Sequence, residues 1–158
     1  MADLGKRFIP PSSFSGSTRN MRQHCQDALA INHHFGGRDL FITMTANLTW
    51  PEITSALLPN QKAPDCPDLV VQVFHAKLRS LIGDIKRGIL GKLAAYLYTI
   101  EFQKHGLPHA HIIVFLKSDA KLHTPDDIDS LMSSEFPVHN NDLLQLIMKF
   151  IVHTSCGD

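Results

Sequence analysis

Two histidines stand one residue apart in the stretch GLPHAHIIVFL, residues 106–116, at the start of an apolar run. Successive side chains on a β-strand point to opposite faces, so His109 and His111 would share one face while Ala110 faces the other way. Two neutral imidazoles on one face can bind a divalent metal ion, but a metal site needs at least a third ligand. The pair therefore raises the hypothesis of a metal site completed by a neighbouring strand.

Glu101 is the candidate for that third ligand. It lies near the end of a second strand-like run, KLAAYLYTIEFQ at residues 92–103, which a short loop separates from His109. Cross-strand neighbours on one face have Cβ atoms about 4.5–5.5 Å apart, close enough to share an ion. Two nitrogens and a carboxylate leave positions open for water or a substrate oxygen, which suits Mg²⁺, Mn²⁺ or Zn²⁺ acting as a Lewis acid. The alternative, which these residues leave open, is a pair of ordinary strand histidines on a partly exposed face.

Length and composition favour one globular, intracellular domain. The chain has 158 residues, of which 44% are hydrophobic, enough to bury a core. No apolar run approaches the roughly 20 residues of a membrane-spanning helix, and the N-terminus has no apolar segment typical of secretion. The three cysteines, Cys25, Cys66 and Cys156, are odd in number and far apart, which argues against a disulfide framework and for a reducing compartment.

The formal net charge of zero conceals an asymmetry along the chain. Residues 1–117 contain thirteen Lys and Arg against eight Asp and Glu, a balance of +5, whereas residues 118–158 contain two against seven, a balance of −5. A basic main body is compatible with a polyanionic partner such as nucleic acid. The acidic end is interpreted as a solvated surface.

The pattern of hydrophobic residues predicts an α/β (α+β) domain with a central, mostly antiparallel sheet flanked by helices. Residues 1–16, rich in Pro, Ser and Gly, are interpreted as a flexible arm. Residues 47–68, with four prolines, are interpreted as a long surface connection. The predicted strands are 39–46, 92–103 and 109–117, and the predicted helices are 17–35, 68–87, 124–134 and 143–153.

EFQKHGLPHAHIIVFL resembles the HUH motif of rolling-circle replication initiators, and most closely the Rep nuclease region of Helitron transposon proteins. The resemblance begins at about Pro11 and covers nearly the whole chain. Its further segments, in the order that family has, are PPSSFSGSTRNMRQHCQDALAI, DLFITMTANLTWPEI, LLPNQ to PDLVVQVF, TPDDID and FIVHTSCG.

This resemblance implies an HUH-nuclease-like domain over residues 17–158 that acts as a metal-dependent single-stranded DNA endonuclease and strand-transferase in the nucleus. In such enzymes the HUH histidines hold a divalent ion that polarises the scissile phosphate, and a tyrosine attacks to leave a 5′-phosphotyrosine link and a free 3′-OH. By position, His109 and His111 become the metal ligands, with Glu101 as the third. Thr43 and Thr45, on the first motif of the family, would meet substrate or support the ligands.

The resemblance also implies a surface for single-stranded DNA. Trp50 is the predicted stacking platform, since binding of single strands without sequence preference uses aromatic side chains. His105 stands where the family usually has an arginine or lysine. The predicted contacts are Arg19, Arg22, Trp50, Lys104 and His105, with Phe14, Phe102 and Lys92 as further candidates, whereas Lys86 and Arg87 are interpreted as solvated charges.

The chain departs from the family at the nucleophile. The catalytic tyrosines of the family follow the HUH motif, but no tyrosine follows Tyr98 here, and Tyr96 and Tyr98 are interpreted as sheet residues whose hydroxyls find a partner. We therefore expect a domain that is incomplete at its C-terminus, ends before the catalytic helix and the downstream helicase domain, and cannot cleave alone.

Two further interpretations follow from this departure. The alternative function is a non-catalytic single-strand DNA-binding or assembly module from a degenerate transposon copy. His153 and Cys156 match a His-x-x-Cys that precedes further cysteines in longer relatives, so they are a hypothetical half of a zinc site.

Overall fold

A computed structural model describes residues 9–103, 106–132 and 135–151. These residues form two compact units, the first ending at Lys121 and the second beginning at Leu122. The described residues contain five α-helices and one three-stranded antiparallel sheet, so the predicted α+β class is confirmed. In chain order the elements are α1 (Thr18–His34), β1 (Leu40–Thr45), α2 (Pro51–Thr54), α3 (Pro67–Lys86), β2 (Leu93–Phe102), β3 (Pro108–Leu116), α4 (Pro125–Leu131) and α5 (Asn141–Phe150).

The sheet has the order β1-β3-β2, and both neighbours of β3 run antiparallel to it. β3 is central because its apolar run can be buried, and Ala110, Ile112 and Val114 are fully inaccessible to solvent. The predicted hairpin between β2 and β3 is confirmed. Its connection is closed by a hydrogen bond from the Gly106 N–H to the Gln103 carbonyl, and Gly106 has a φ of +76°, a conformation that glycine adopts without steric cost.

The core of the first unit lies between α3 and the sheet. The apolar side chains of α3 at helical spacing are buried, and this helix contacts β3. Phe74 is fully inaccessible to solvent, and burial of one such side chain stabilises the fold by about 1.5–3 kcal/mol. The buried residues of α3 are Val70, Phe74, Leu78, Ile82 and Ile85.

Residues 47–68 are not merely the surface connection that was predicted. They contain α2, which begins with a proline at its first position, where a proline costs the helix no hydrogen bond. Trp50, Ile53 and Ala63 are buried, at 8%, 0% and 7% exposure. The prediction was wrong because polar and proline-rich residues surround three apolar side chains that fill the core.

α1 forms where it was predicted and is capped by Ser17, whose hydroxyl accepts a hydrogen bond from the Asn20 N–H at 3.1 Å. None of its residues is buried, and Met21 and Leu29 on its apolar side are 61% and 62% exposed. The preceding segment forms a turn in which the Phe14 N–H donates to the Pro11 carbonyl. Residues 1–8 of the predicted arm lie outside the described residues, and the domain boundary at residue 17 stays a prediction.

The second unit contains α4 and α5. α4 begins at the start of the predicted helix 124–134, where the Thr124 hydroxyl accepts from the Asp127 N–H and the Asp127 carboxylate accepts from the Thr124 N–H. α5 begins two residues before its predicted start, capped by Asn140. None of the helices in the described ranges is long and apolar enough to cross a membrane.

Candidate metal centre

The antiparallel register brings the two histidines of β3 onto one face of the sheet with side chains from both neighbouring strands. His109 pairs with Thr45 on β1 and with Glu101 on β2. His111 pairs with Thr43 on β1. Since directly paired residues share a face, the predicted ligands and the two predicted threonines lie together.

The three predicted ligands form a close cluster. The Glu101 carboxylate accepts a hydrogen bond from Nε2 of His111 at 3.0 Å, and the ring centroids of His109 and His111 are 4.5 Å apart. One ligand atom from each residue lies within 4.8 Å of the other two. The cluster is open on one side, because the Glu101 side chain is 59% exposed and that of His111 is 32% exposed.

His109 is oriented from β1. The residue is only 9% exposed, and its Nδ1 lies 2.6 Å from the Thr45 hydroxyl oxygen and 3.5 Å from Nε2 of Gln103. The Thr45 contact is a short hydrogen bond, whereas the Gln103 contact is at the limit of one. A hydrogen bond at one ring nitrogen fixes the orientation of the imidazole and leaves the other nitrogen as the one that can bind an ion.

The donor chemistry of the cluster decides whether it fits a cation. The nitrogen of His111 that contacts Glu101 is Nε2, whereas its Nδ1 is buried and has no hydrogen-bond partner among the described residues. Two imidazoles and a carboxylate are ligands that divalent cations accept, and no Lys or Arg pairs with Glu101 within the described ranges. The cluster therefore fits a divalent ion.

The remaining predicted contacts are not brought to the cluster. Arg19 and Arg22 are exposed on α1, and within the described part of the chain no hydrogen bond or ion pair joins them to it. Trp50 packs in the core with the Lys77 ammonium 5.0 Å from its ring centroid, so its burial gives it no open stacking face in this structure. Thr43 is exposed. Four further predicted residues, Lys104, His105, His153 and Cys156, lie outside the described residues.

Sequence reasoning missed two neighbours of the cluster. Gln103 lies two residues after Glu101 and approaches His109, as given above. Phe41 is 57% exposed, and its ring stacks on that of His111 with 5.7 Å between centroids and 13° between planes. The position of Phe41 could have been predicted from strand alternation, since Phe41 precedes Thr43 by two residues on one strand and therefore shares its face.

The first unit thus presents, on an antiparallel sheet, a Glu-His-His group that could hold a metal ion. A family model described as "Helitron helicase-like domain at N-terminus" matches residues 1–114 of the 158. The chain belongs to this family, as its motifs indicated. The match includes all three residues of the cluster. No curated protein matches the chain.

Proposed function

We propose that this Helitron-related chain is the core of a metal-dependent, HUH-type single-stranded DNA endonuclease and strand-transferase. The observation that supports the proposal best is the cluster of Glu101, His109 and His111 at the open end of the sheet. It combines a buried, oriented histidine with an exposed carboxylate. Such a set of ligands leaves a coordination position of the ion open for a substrate oxygen. This role would place the protein with its DNA, in the nucleus of the host cell.

The proposed ion is Mg²⁺ or Mn²⁺, with Zn²⁺ as a third option, and when bound it would supply Lewis-acid polarisation of a phosphoryl oxygen. Glu101, His109 and His111 would hold it. Thr45 would keep the His109 ring in its binding orientation. Phe41, exposed beside His111, would stack on a base next to the scissile phosphate.

The attacking hydroxyl is not supplied by the two tyrosines of the chain. Tyr98 pairs with Ile112, and Tyr96 pairs with Val114. Their side chains therefore lie on the sheet face opposite to the histidines. This chain would bind the metal ion and the DNA, whereas the nucleophilic tyrosine and the helicase partner would be supplied by other segments. The same observation favours the second candidate, a non-catalytic single-strand DNA-binding or assembly module.

Calorimetric titration with Mn²⁺ tests the proposal. The parent chain should bind one ion, Glu101→Gln should bind it more weakly, and the double variant His109→Ala, His111→Ala should not bind it. A matched control is the double variant His33→Ala, His34→Ala, which removes two exposed imidazoles at the end of α1 and should bind as the parent does.

Titration with single-stranded DNA then separates the two candidates. If Mn²⁺ strengthens the binding of the oligonucleotide by the parent and not by the His109→Ala, His111→Ala variant, the metal-dependent nuclease core is supported. Metal-independent binding that is equal in both proteins would support the non-catalytic module. Equal Mn²⁺ binding by the parent and this variant would refute the metal centre.

A further inference from the structure

A groove lies between α3 and β2, on the sheet face opposite to His109 and His111, and has a volume of about 440 Å³. This volume falls within the range of small-molecule binding sites. We call it the tyrosine groove and define it by the five polar or aromatic side chains that line it. They are His75, Arg79, Lys86, Tyr96 and Tyr98.

The rings of Tyr96 and Tyr98 line the groove. Their rings are nearly parallel, with 3° between planes and 6.3 Å between centroids. The Lys86 ammonium lies 5.0 Å from the centroid of Tyr96, a cation–π distance, whereas Tyr98 is 48% exposed. Within the described ranges neither hydroxyl forms a hydrogen bond to another protein group, and the prediction that these hydroxyls find a partner stays a prediction. Tyr98 is left as an open stacking surface.

The charge of the groove is positive. His75, Arg79 and Lys86 lie four and seven residues apart on α3, a spacing that places them on one helix face. Arg79 and Lys86 are exposed, no carboxylate lines the groove, and no described residue forms an ion pair with Arg79. The nearby Arg87 differs, because it pairs with Asp84.

We infer that the tyrosine groove is a second binding site for single-stranded DNA, on the opposite face of the sheet from the Glu-His-His cluster. Exposed aromatic rings beside cationic side chains are what proteins use to stack bases and hold phosphates without reading sequence. A base would stack on Tyr98, while Arg79 and Lys86 contact the flanking phosphates. A protein or acidic peptide ligand would use the charges but would not need the aromatic faces.

The groove lies at the edge of the sheet. β2 is an edge strand, and it carries Tyr98 on one face and Glu101 on the other, three residues and roughly 10 Å further along. One DNA strand could therefore pass around this edge from the groove to the cluster. The groove itself uses no residue of the cluster, so its binding should not require a divalent ion.

Fluorescence anisotropy with a labelled oligothymidine of about 12 nucleotides, in the presence of EDTA, tests the inference. Tyr98→Ala should bind about 5- to 150-fold more weakly than the parent, while Tyr98→Phe, which keeps the ring, should retain the parent affinity. Arg79→Gln should lower the slope of log affinity against log salt by about 0.7, the value for one lost contact to a single strand. Arg87→Gln, outside the groove, is the matched control and should leave both quantities unchanged.

A photocrosslink locates the contact independently of any effect on folding. An oligonucleotide carrying 5-iododeoxyuridine should crosslink to Tyr96 or Tyr98, assigned by tandem mass spectrometry within the tryptic peptide of residues 93–104, which also contains Glu101. Absence of oligothymidine binding by the parent, equal affinity of Tyr98→Ala, or crosslinks confined to other residues would each overturn the inference. The metal centre is judged separately, by the Mn²⁺ titration.

Discussion

Replacement of Thr45 by valine removes a single hydroxyl from the candidate metal centre and keeps the shape of the side chain. That hydroxyl lies 2.6 Å from Nδ1 of His109, a residue that is 9% exposed. Water therefore has little access to replace the lost partner. Gln103, 3.5 Å away, is too distant to form a hydrogen bond of comparable strength. We expect the variant to leave the His109 ring without its main orienting contact.

Two effects of Thr45→Val can be estimated from this geometry. Loss of a hydrogen bond that orients a ligand weakens metal affinity about 10- to 100-fold, which corresponds to about 1.4–2.7 kcal/mol of binding free energy. A buried nitrogen left without a partner lowers the free energy of unfolding by about 1–3 kcal/mol. Mn²⁺ titration calorimetry measures the first effect, and urea unfolding of the metal-free protein measures the second.

Thr43→Val provides the matched control on the same strand. Thr43 pairs with His111 in the register but is exposed, and within the described ranges its hydroxyl makes no hydrogen bond. Its replacement should leave Mn²⁺ affinity unchanged and alter the free energy of unfolding by no more than about 0.5 kcal/mol. If Thr45→Val bound Mn²⁺ as tightly as Thr43→Val does, the argument that Thr45 orients a metal ligand would be refuted.

Two other predictions concern the core and the second unit. Trp50→Ala should lower the free energy of unfolding by about 3–5 kcal/mol, because the ring is buried, and urea denaturation measures this loss. Weaker DNA binding at unchanged stability would instead support the predicted role of Trp50 as a surface stacking residue. The backbone N–H of Thr124 donates to the Asp127 carboxyl and, with the Thr124 side chain and the His123 N–H, holds its pKa below the ordinary value. The stability that these hydrogen bonds give α4 is therefore present above the ordinary aspartate pKa and is lost as pH falls through the lower pKa of the folded state. An NMR titration of Asp127 should show a lower midpoint than that of an unstructured aspartate. Thr124→Ala should raise this midpoint.

Local patterns in the sequence predicted most of the elements and the part of the site that one hairpin carries. Alternation of side chains places His109 and His111 on one face, and the short connection between β2 and β3 brings Glu101 opposite His109. These relations depend on residues close together in the chain, for which strand period and loop length are sufficient. The helices α1, α3 and α4 were likewise predicted from apolar spacing and caps.

Local patterns did not reveal which apolar residues would be buried by distant parts of the chain. Trp50 was expected on the surface and lies in the core, while the helix over 17–35 was predicted from its hydrophobic residues, of which Met21 and Leu29 are exposed. Periodicity identifies a hydrophobic side of an element but not the element that covers it. The same limit applies to the tyrosine groove, whose two walls come from a helix and a strand that meet only in the folded chain.

The sequence by itself determined the family, the α+β class and the pair of histidines with a facing glutamate, because motif order, side-chain period and hairpin length are properties of neighbouring residues. Only the tertiary structure decided that β1 lies against β3 in the register that sets Thr45 on His109 and Phe41 on His111. Those partners are 64 and 70 residues apart in the chain. The energy that selects their register comes from burying apolar residues of both strands, such as Leu40 and its partner Val114, and no local rule contains it.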